Sequence, residues 1–171
     1  MSWVDGALAV LAVGALAAWL VLGAMRRTAL RQQAGLPPLP ECPPAGEPVL
    51  RAAARYLGTT YAPSTVRRFS GYGLLGRGIV TLVADPAGLR VESGPAGPWC
   101  VPAGNLRGVT VTSGHAGKMV YAERVLVADW WLGATVLRSG FVLDDEATAR
   151  GWAARLAAMT GGSRDQEEAK R

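Results

Sequence analysis

The chain has 171 residues, half of them hydrophobic, and carries 18 Lys and Arg against 13 Asp and Glu, a formal net charge of +5. That length allows one domain with accessories, and two cysteines with a single histidine, far apart in sequence, offer no zinc-ligand spacing. Sixteen of the 18 cations are Arg, with Lys118 and Lys170 the exceptions, a bias expected of a GC-rich bacterial genome.

The charge is unevenly placed. Arg26, Arg27 and Arg31 cancel Asp5, Glu41 and Glu47, so the whole +5 lies in residues 49–171. Between Pro48 and Ala84 stand Arg51, Arg55, Arg67, Arg68 and Arg77 without one acid. A basic face of this kind suits anionic lipid headgroups or an acidic partner. No nucleic-acid partner is expected.

After a three-residue end (1–3), residues 4–25, "VDGALAVLAVGALAAWLVLGAM", hold one charge, Asp5, at their edge. As a helix they span roughly 33 Å, enough for a hydrocarbon core of about 30 Å. No cation precedes the run and it exceeds a typical signal-peptide core, so an uncleaved transmembrane anchor is expected. Arg26, Arg27 and Arg31 follow at once. The positive-inside rule then predicts an N-terminus outside and a cytoplasmic domain at the inner (plasma) membrane. Gly6, Gly14 and Ala18 form a small-residue stripe through which such a helix could pair with a second copy.

Residues 26–48 read as a basic juxtamembrane stretch and a Pro-rich linker, with six of the eleven prolines in "GLPPLPECPPAGEP". This predicts a stiff spacer that keeps the next domain clear of the headgroups. In the reducing cytoplasm Cys42 and Cys100 are expected as free thiols, without a disulfide. His115, in "TSGHAGK", reads as a loop residue.

Residues 49–162 form the expected domain. "IVTLV" (79–83), "LRVE" (89–92), "WCVP" (99–102), "LRGVTVT" (106–112), "RVLVADWW" (124–131) and "ATVLRSGFVL" (134–143) are strand-like and separated by turn residues. Short, regularly spaced strands predict a small antiparallel barrel or sandwich. The period then changes: Trp152, Leu156 and Met159 recur at helical spacing behind Asp144, Asp145 and Glu146, acids that suit a helix N-terminus better than a metal. Gly161 and Gly162 mark the expected stop, and 163–171 read as a disordered tail.

The segments "LGRG" (75–78), "HAGKMV" (115–120) and "DWWLGATVLRSGF" (129–141) resemble motifs of actinobacterial single-pass membrane proteins with a cytoplasmic pleckstrin-homology-like (PH-like) domain. The resemblance covers nearly the whole chain except the tail. It implies a mainly β fold: an N-terminal transmembrane helix, then a PH-like small β-barrel of about seven antiparallel strands capped by one C-terminal α-helix. It implies no activity.

Three motifs are weighed on their chemistry. "GYGLLG" (71–76) has the G-x-G-x-x-G spacing of nucleotide loops, which needs a helix after it to receive phosphate. The residues that follow, "RGIVTLVADP", read as a strand, so the glycines are assigned to a strand connection. "GHAGK" (114–118) lacks the first Gly and the Ser or Thr of a P-loop and is assigned to a turn with an exposed Lys118. Ser113 and His115 share that turn without an orienting acid, so no triad is formed.

The expectation is a non-enzymatic, membrane-anchored interaction module, an adaptor or scaffold for a protein partner, without cofactor or metal. The alternatives are an anionic phospholipid-recognition domain or an accessory subunit of a membrane transport, export or biosynthetic complex. Arg67, Arg68, Arg77, Lys118, Trp130 and Trp131 are the expected lipid- or partner-facing residues. Trp130 and Trp131 are adjacent, so a strand would send one inward and one outward.

Overall fold

An apolar run satisfies its backbone hydrogen bonds most simply as a helix, and in the computed structural model, which describes residues 3–168, Trp3–Gln33 form one such helix, α1. Its Asp5–Gln33 portion is long and apolar enough to cross a membrane, and none of its most apolar window is buried against the protein. The helix runs past Met25 through all three flanking arginines.

Ten strands follow: β1 (Leu50–Tyr61), β2 (Arg68–Phe69), β3 (Gly78–Asp85), β4 (Gly88–Ser93), β5 (Trp99–Pro102), β6 (Leu106–Thr112), β7 (Gly114–His115), β8 (Lys118–Met119), β9 (Val125–Leu132) and β10 (Thr135–Val142). Eight of them make one antiparallel sheet in the order β5-β4-β3-β1-β10-β9-β6, with β2 paired to β1. The strands predicted from Ile79 onward appear in place. A final helix, α2 (Glu146–Glu168), packs across β6, β9 and the turn that joins β5 to β6. This is the mainly β, helix-capped, PH-like architecture that the resemblance implied.

Tyr56, Trp99, Trp130 and Phe141 meet at the centre of the sheet, with ring centroids 5.3 to 6.3 Å apart. A polar chain is enclosed with them. The Tyr56 hydroxyl lies 2.5 Å from Thr59 Oγ1 and donates to the Leu74 carbonyl, Thr59 Oγ1 meets Ser139 Oγ at 2.7 Å, and Trp130 Nε1 donates to Ser139 Oγ. Each member of this chain thus has a partner, as a low-dielectric interior requires, and burial pushes the Tyr56 phenol far above its ordinary range. The inside of the barrel is filled.

At the capping end Asp145 Oδ1 accepts the Thr148 N–H at 2.7 Å, the bond an N-cap residue makes. Ala149, Trp152 and Leu156 are buried below it, and Met159 packs at the edge. The helix does not stop at Gly161 and Gly162: its backbone continues to Glu168, because a glycine weakens a helix by about 1 kcal/mol without necessarily ending it. Of the expected tail, residues 169–171 lie outside the described residues.

The Pro-rich segment is not a free spacer. Leu36 and Leu39 pack on the core, Tyr72 donates its hydroxyl to the Pro37 carbonyl, Arg90 donates to that of Pro43, and Gly46 N–H reaches Asp85. It forms a strap along β5. Cys42 and Cys100 are joined there in a disulfide, their Cα atoms 5.6 Å apart, against the expectation of free thiols. That expectation rested on compartment alone, whereas the strap brings the two residues within bridging distance.

Candidate functional site

The connection "GYGLLG" seats the end of α1. Gly71–Gly73 make a single 3-10 turn in which Tyr72 and Gly73 take positive φ (55° and 75°). Just before it, Gln32 Oε1 accepts from both the N–H (2.6 Å) and the hydroxyl (2.8 Å) of Ser70. Val21, Ala24, Met25 and Thr28 border a depression with Ser70 and Leu75. A strand follows, as expected, so no helix N-terminus faces these glycines.

The segment read as a P-loop remnant is a tight hairpin. Ala116 (φ 51°) and Gly117 (φ 72°) turn β7 into β8, the two consecutive positive φ values of a primed turn. The hairpin is latched to the sheet from three sides. Arg68 Nη2 and Arg77 Nη2 both donate to the Ala116 carbonyl (2.9 and 2.7 Å), and Arg77 Nε donates to the Leu57 carbonyl (3.0 Å). His115 is buried, not a loop residue. Its Nε2 lies 3.1 Å from the Gly58 carbonyl, and its ring rests on Gly140, where any Cβ would run into it. Gly58 itself sits at φ 108° in an irregularity of the β1–β10 register, a conformation that favours glycine. Burial holds the His115 imidazole below the usual histidine range, against the Gly58 hydrogen bond that raises it.

Folding the hairpin back covers a second, small apolar cluster on the outer face of the sheet: Leu57, Val125 and Val127, with Val120 and Val142 at its edge. Beside it opens a groove of 430 Å3. Four cations line it, Arg55 from β1, Arg77 from the approach to β3, Lys118 from β8 and Arg124 from the approach to β9, and no acid does. Arg124 Nη1 donates to the Asp144 carbonyl at 3.0 Å, while its Nε is buried without a hydrogen-bond partner. The rim is apolar and open: Met119 and Tyr121 are 80% and 95% exposed, and Ile79, next to Gly78 of the wall, is 68% exposed.

A second depression with two arginines is different in kind. Arg138 forks onto Asp129 with two bonds of 2.6 Å, and Arg107 and Pro63 border the same hollow. Asp129 neutralises Arg138 there, and the carboxylate holds the Arg138 guanidinium above even the ordinary arginine range.

Of the six residues expected to face a partner, the structure brings Arg77 and Lys118 into the groove and uses Arg68 to latch its hairpin. Arg67 stands apart, its guanidinium 4.7 Å over the Tyr61 ring, near Arg31 and Gln32 of α1. Trp130 is corrected: it is fully buried in the barrel centre and faces neither lipid nor partner. Trp131 points outward, partly covered by Arg107 at 5.5 Å, near the end of β9 remote from the groove. Sequence reasoning missed Arg55 and Arg124 as site residues. Arg55 lay in the acid-free run, but its neighbours there are dispersed by the fold, and Arg124 carried no local signal.

The model of the family described as bacterial PH domain-like matches residues 34–157. No curated protein matches the chain.

Proposed function

The chain belongs to the bacterial PH domain-like family, whose domains are typically non-enzymatic, and on that premise we propose that it is a membrane-anchored, non-catalytic interaction module for a protein partner. The observation that carries this is the join between helix and domain. Gln32 is bonded to Ser70, the strap is sewn to the sheet, and the two elements therefore hold one another in position. A module built this way presents its surface at a set attitude to the bilayer. The filled barrel interior supports the non-catalytic reading only in that it leaves no substrate cavity at the barrel centre.

The contact face we assign is the open apolar rim of Ile79, Met119 and Tyr121, large apolar side chains of the type that anchor interfaces. Its topology is read from the arginines: Arg26, Arg27 and Arg31 follow the apolar run at once, which favours a cytoplasmic domain. The Cys42–Cys100 bridge favours an oxidising compartment instead. In the cytoplasmic assignment the bridge closes only under oxidation. Alkylation of intact cells with an impermeant maleimide, before and after reduction, separates the two placements.

The test of function is affinity purification of the tagged full-length chain from native membranes, alongside a Met119→Asp/Tyr121→Asp variant. A stoichiometric protein partner lost in the variant is the expected result. Specific recovery of anionic lipid with no protein partner would replace the adaptor reading by phospholipid recognition. The same outcome would leave Arg67, beside α1, as the first residue to test for headgroup contact.

A further inference from the structure

The geometry points to a binding site for a phosphate-bearing anion in the groove between β1 and the latched hairpin, formed by Arg55, Arg77, Lys118 and Arg124. The site is on the outside of the barrel. It stands apart from the partner reading, because its ligand is recognised by charge in the groove and not by the apolar rim.

Four elements send cations to one place, and like charges gathered without a counter-ion repel one another. Four other arginines show the contrast. Arg51 pairs with Glu92, Arg90 with Asp85, Arg138 with Asp129 and Arg150 with Glu123 and Glu146. Glu123 and Asp144 lie next to the groove, but Glu123 faces Arg150 and Asp144 offers Arg124 only its main-chain carbonyl. Among the described residues no carboxylate meets Arg55 or Lys118.

Two of the cations are already aimed. Arg77 is held by the Leu57 and Ala116 carbonyls through Nε and Nη2, and Arg124 by the Asp144 carbonyl through Nη1. Arg124 also keeps a buried Nε without a hydrogen-bond partner, a donor left unsatisfied within the protein. Arg55 and Lys118 are exposed and free to close from the sides. Guanidinium forks suit both phosphate and carboxylate, but four positive charges match a dianion better than a monoanion. The volume is that of a small-ligand site, and the Leu57, Val120 and Val142 floor gives the carbon skeleton of a phosphate ester an apolar bed.

The experiment uses the full-length chain in nanodiscs of zwitterionic lipid, titrated calorimetrically with inorganic phosphate and with glycerol 3-phosphate, and with acetate at matched ionic strength. Saturable binding of phosphate above acetate is expected, weakened about tenfold or more in Arg55→Gln/Lys118→Gln. Both residues are exposed, and an unchanged thermal midpoint establishes that the variant is folded. A second arm identifies the source of the group. In nanodiscs containing phosphatidic acid, whose headgroup is a phosphomonoester, loss of the soluble ligand's affinity together with shielding of the Lys118 amine from acylation identifies a lipid headgroup. Unchanged affinity identifies a soluble phosphate ester. Phosphate binding no stronger than acetate binding, or equal in the folded variant, overturns the proposal.

Discussion

Replacing Arg68 and Arg77 together by alanine separates a structural role for these cations from a purely electrostatic one. The pair supplies three guanidinium-to-carbonyl bonds of 2.7 to 3.0 Å, two of which converge on Ala116, a fully buried residue. Charged donors contribute about 1.5–3 kcal/mol per bond in favourable cases. Both side chains are partly open to water, so about 1 kcal/mol each is the better figure, to which the orphaned Ala116 carbonyl adds. The double variant should lose roughly 2–4 kcal/mol of stability, a fall in Tm of roughly 8–15 °C for a domain of this size. The assay is thermal unfolding of the full chain in micelles, followed by tryptophan fluorescence. Hydrogen exchange at Val120, whose N–H is bonded to Ser113 across the hairpin base, reports the local opening. The informative comparator is Arg68→Lys/Arg77→Lys, which keeps the charge but cannot fork onto two carbonyls. It should lose most of the same stability. A double alanine variant with the wild-type midpoint and wild-type exchange at Val120 would refute the latch.

Three further outcomes follow from the fold. Removing the Cys42–Cys100 bridge, which closes a loop of 58 residues, should cost about 4 kcal/mol by chain entropy, read as a lower urea midpoint under reduction that is absent in Cys42→Ser/Cys100→Ser. Burial lowers the folded-state pKa of His115 below the ordinary 6.5, so the unfolded chain takes up the proton first. The stability this gives is complete above that pH and declines as pH falls through it, a slope that His115→Asn should flatten in unfolding titrations. Trp130→Ala should cost about 3–5 kcal/mol by emptying the barrel centre, whereas Trp131→Ala, at 39% exposure, should cost under about 1 kcal/mol; equal losses would contradict the assigned facing of this strand.

The strands from Ile79 onward were legible because each is a short apolar, β-branched or alternating run closed by turn residues. β1 was not. "LRAAARYLGTTY" is rich in Ala and Arg and has no strand signature of its own; it is extended because β3 and β10 pair with it on both sides. The strap was misread for a related reason. Many of its ties are main-chain carbonyls of Pro37 and Pro43, which any sequence would supply, so no side-chain pattern announces them. The groove shows the same limit. Arg77 and Lys118 were singled out, but their meeting with Arg55 and Arg124 depends on a hairpin folding back across the sheet. The burial of His115 depends on Gly140, 25 residues away, leaving room for its ring. Local pattern identified the elements, and the site arises from how remote elements meet.

The strap also sets the path by which a pull on α1 would reach the domain. The Gln32–Ser70 bonds would carry the load first. With the bridge open, tension passes along the strap to Leu50 and enters β1, a central strand gripped from both sides. With it closed, tension is diverted at Cys42 to Cys100 and enters β5, the edge strand, which has one neighbour to peel from. The closed bridge also hides 58 residues from extension, about 200 Å of contour. Single-molecule stretching from both termini should show that length appear on reduction, at a different yield force. The oxidation state of two sulfurs would thus choose which strand of the sheet bears the strain.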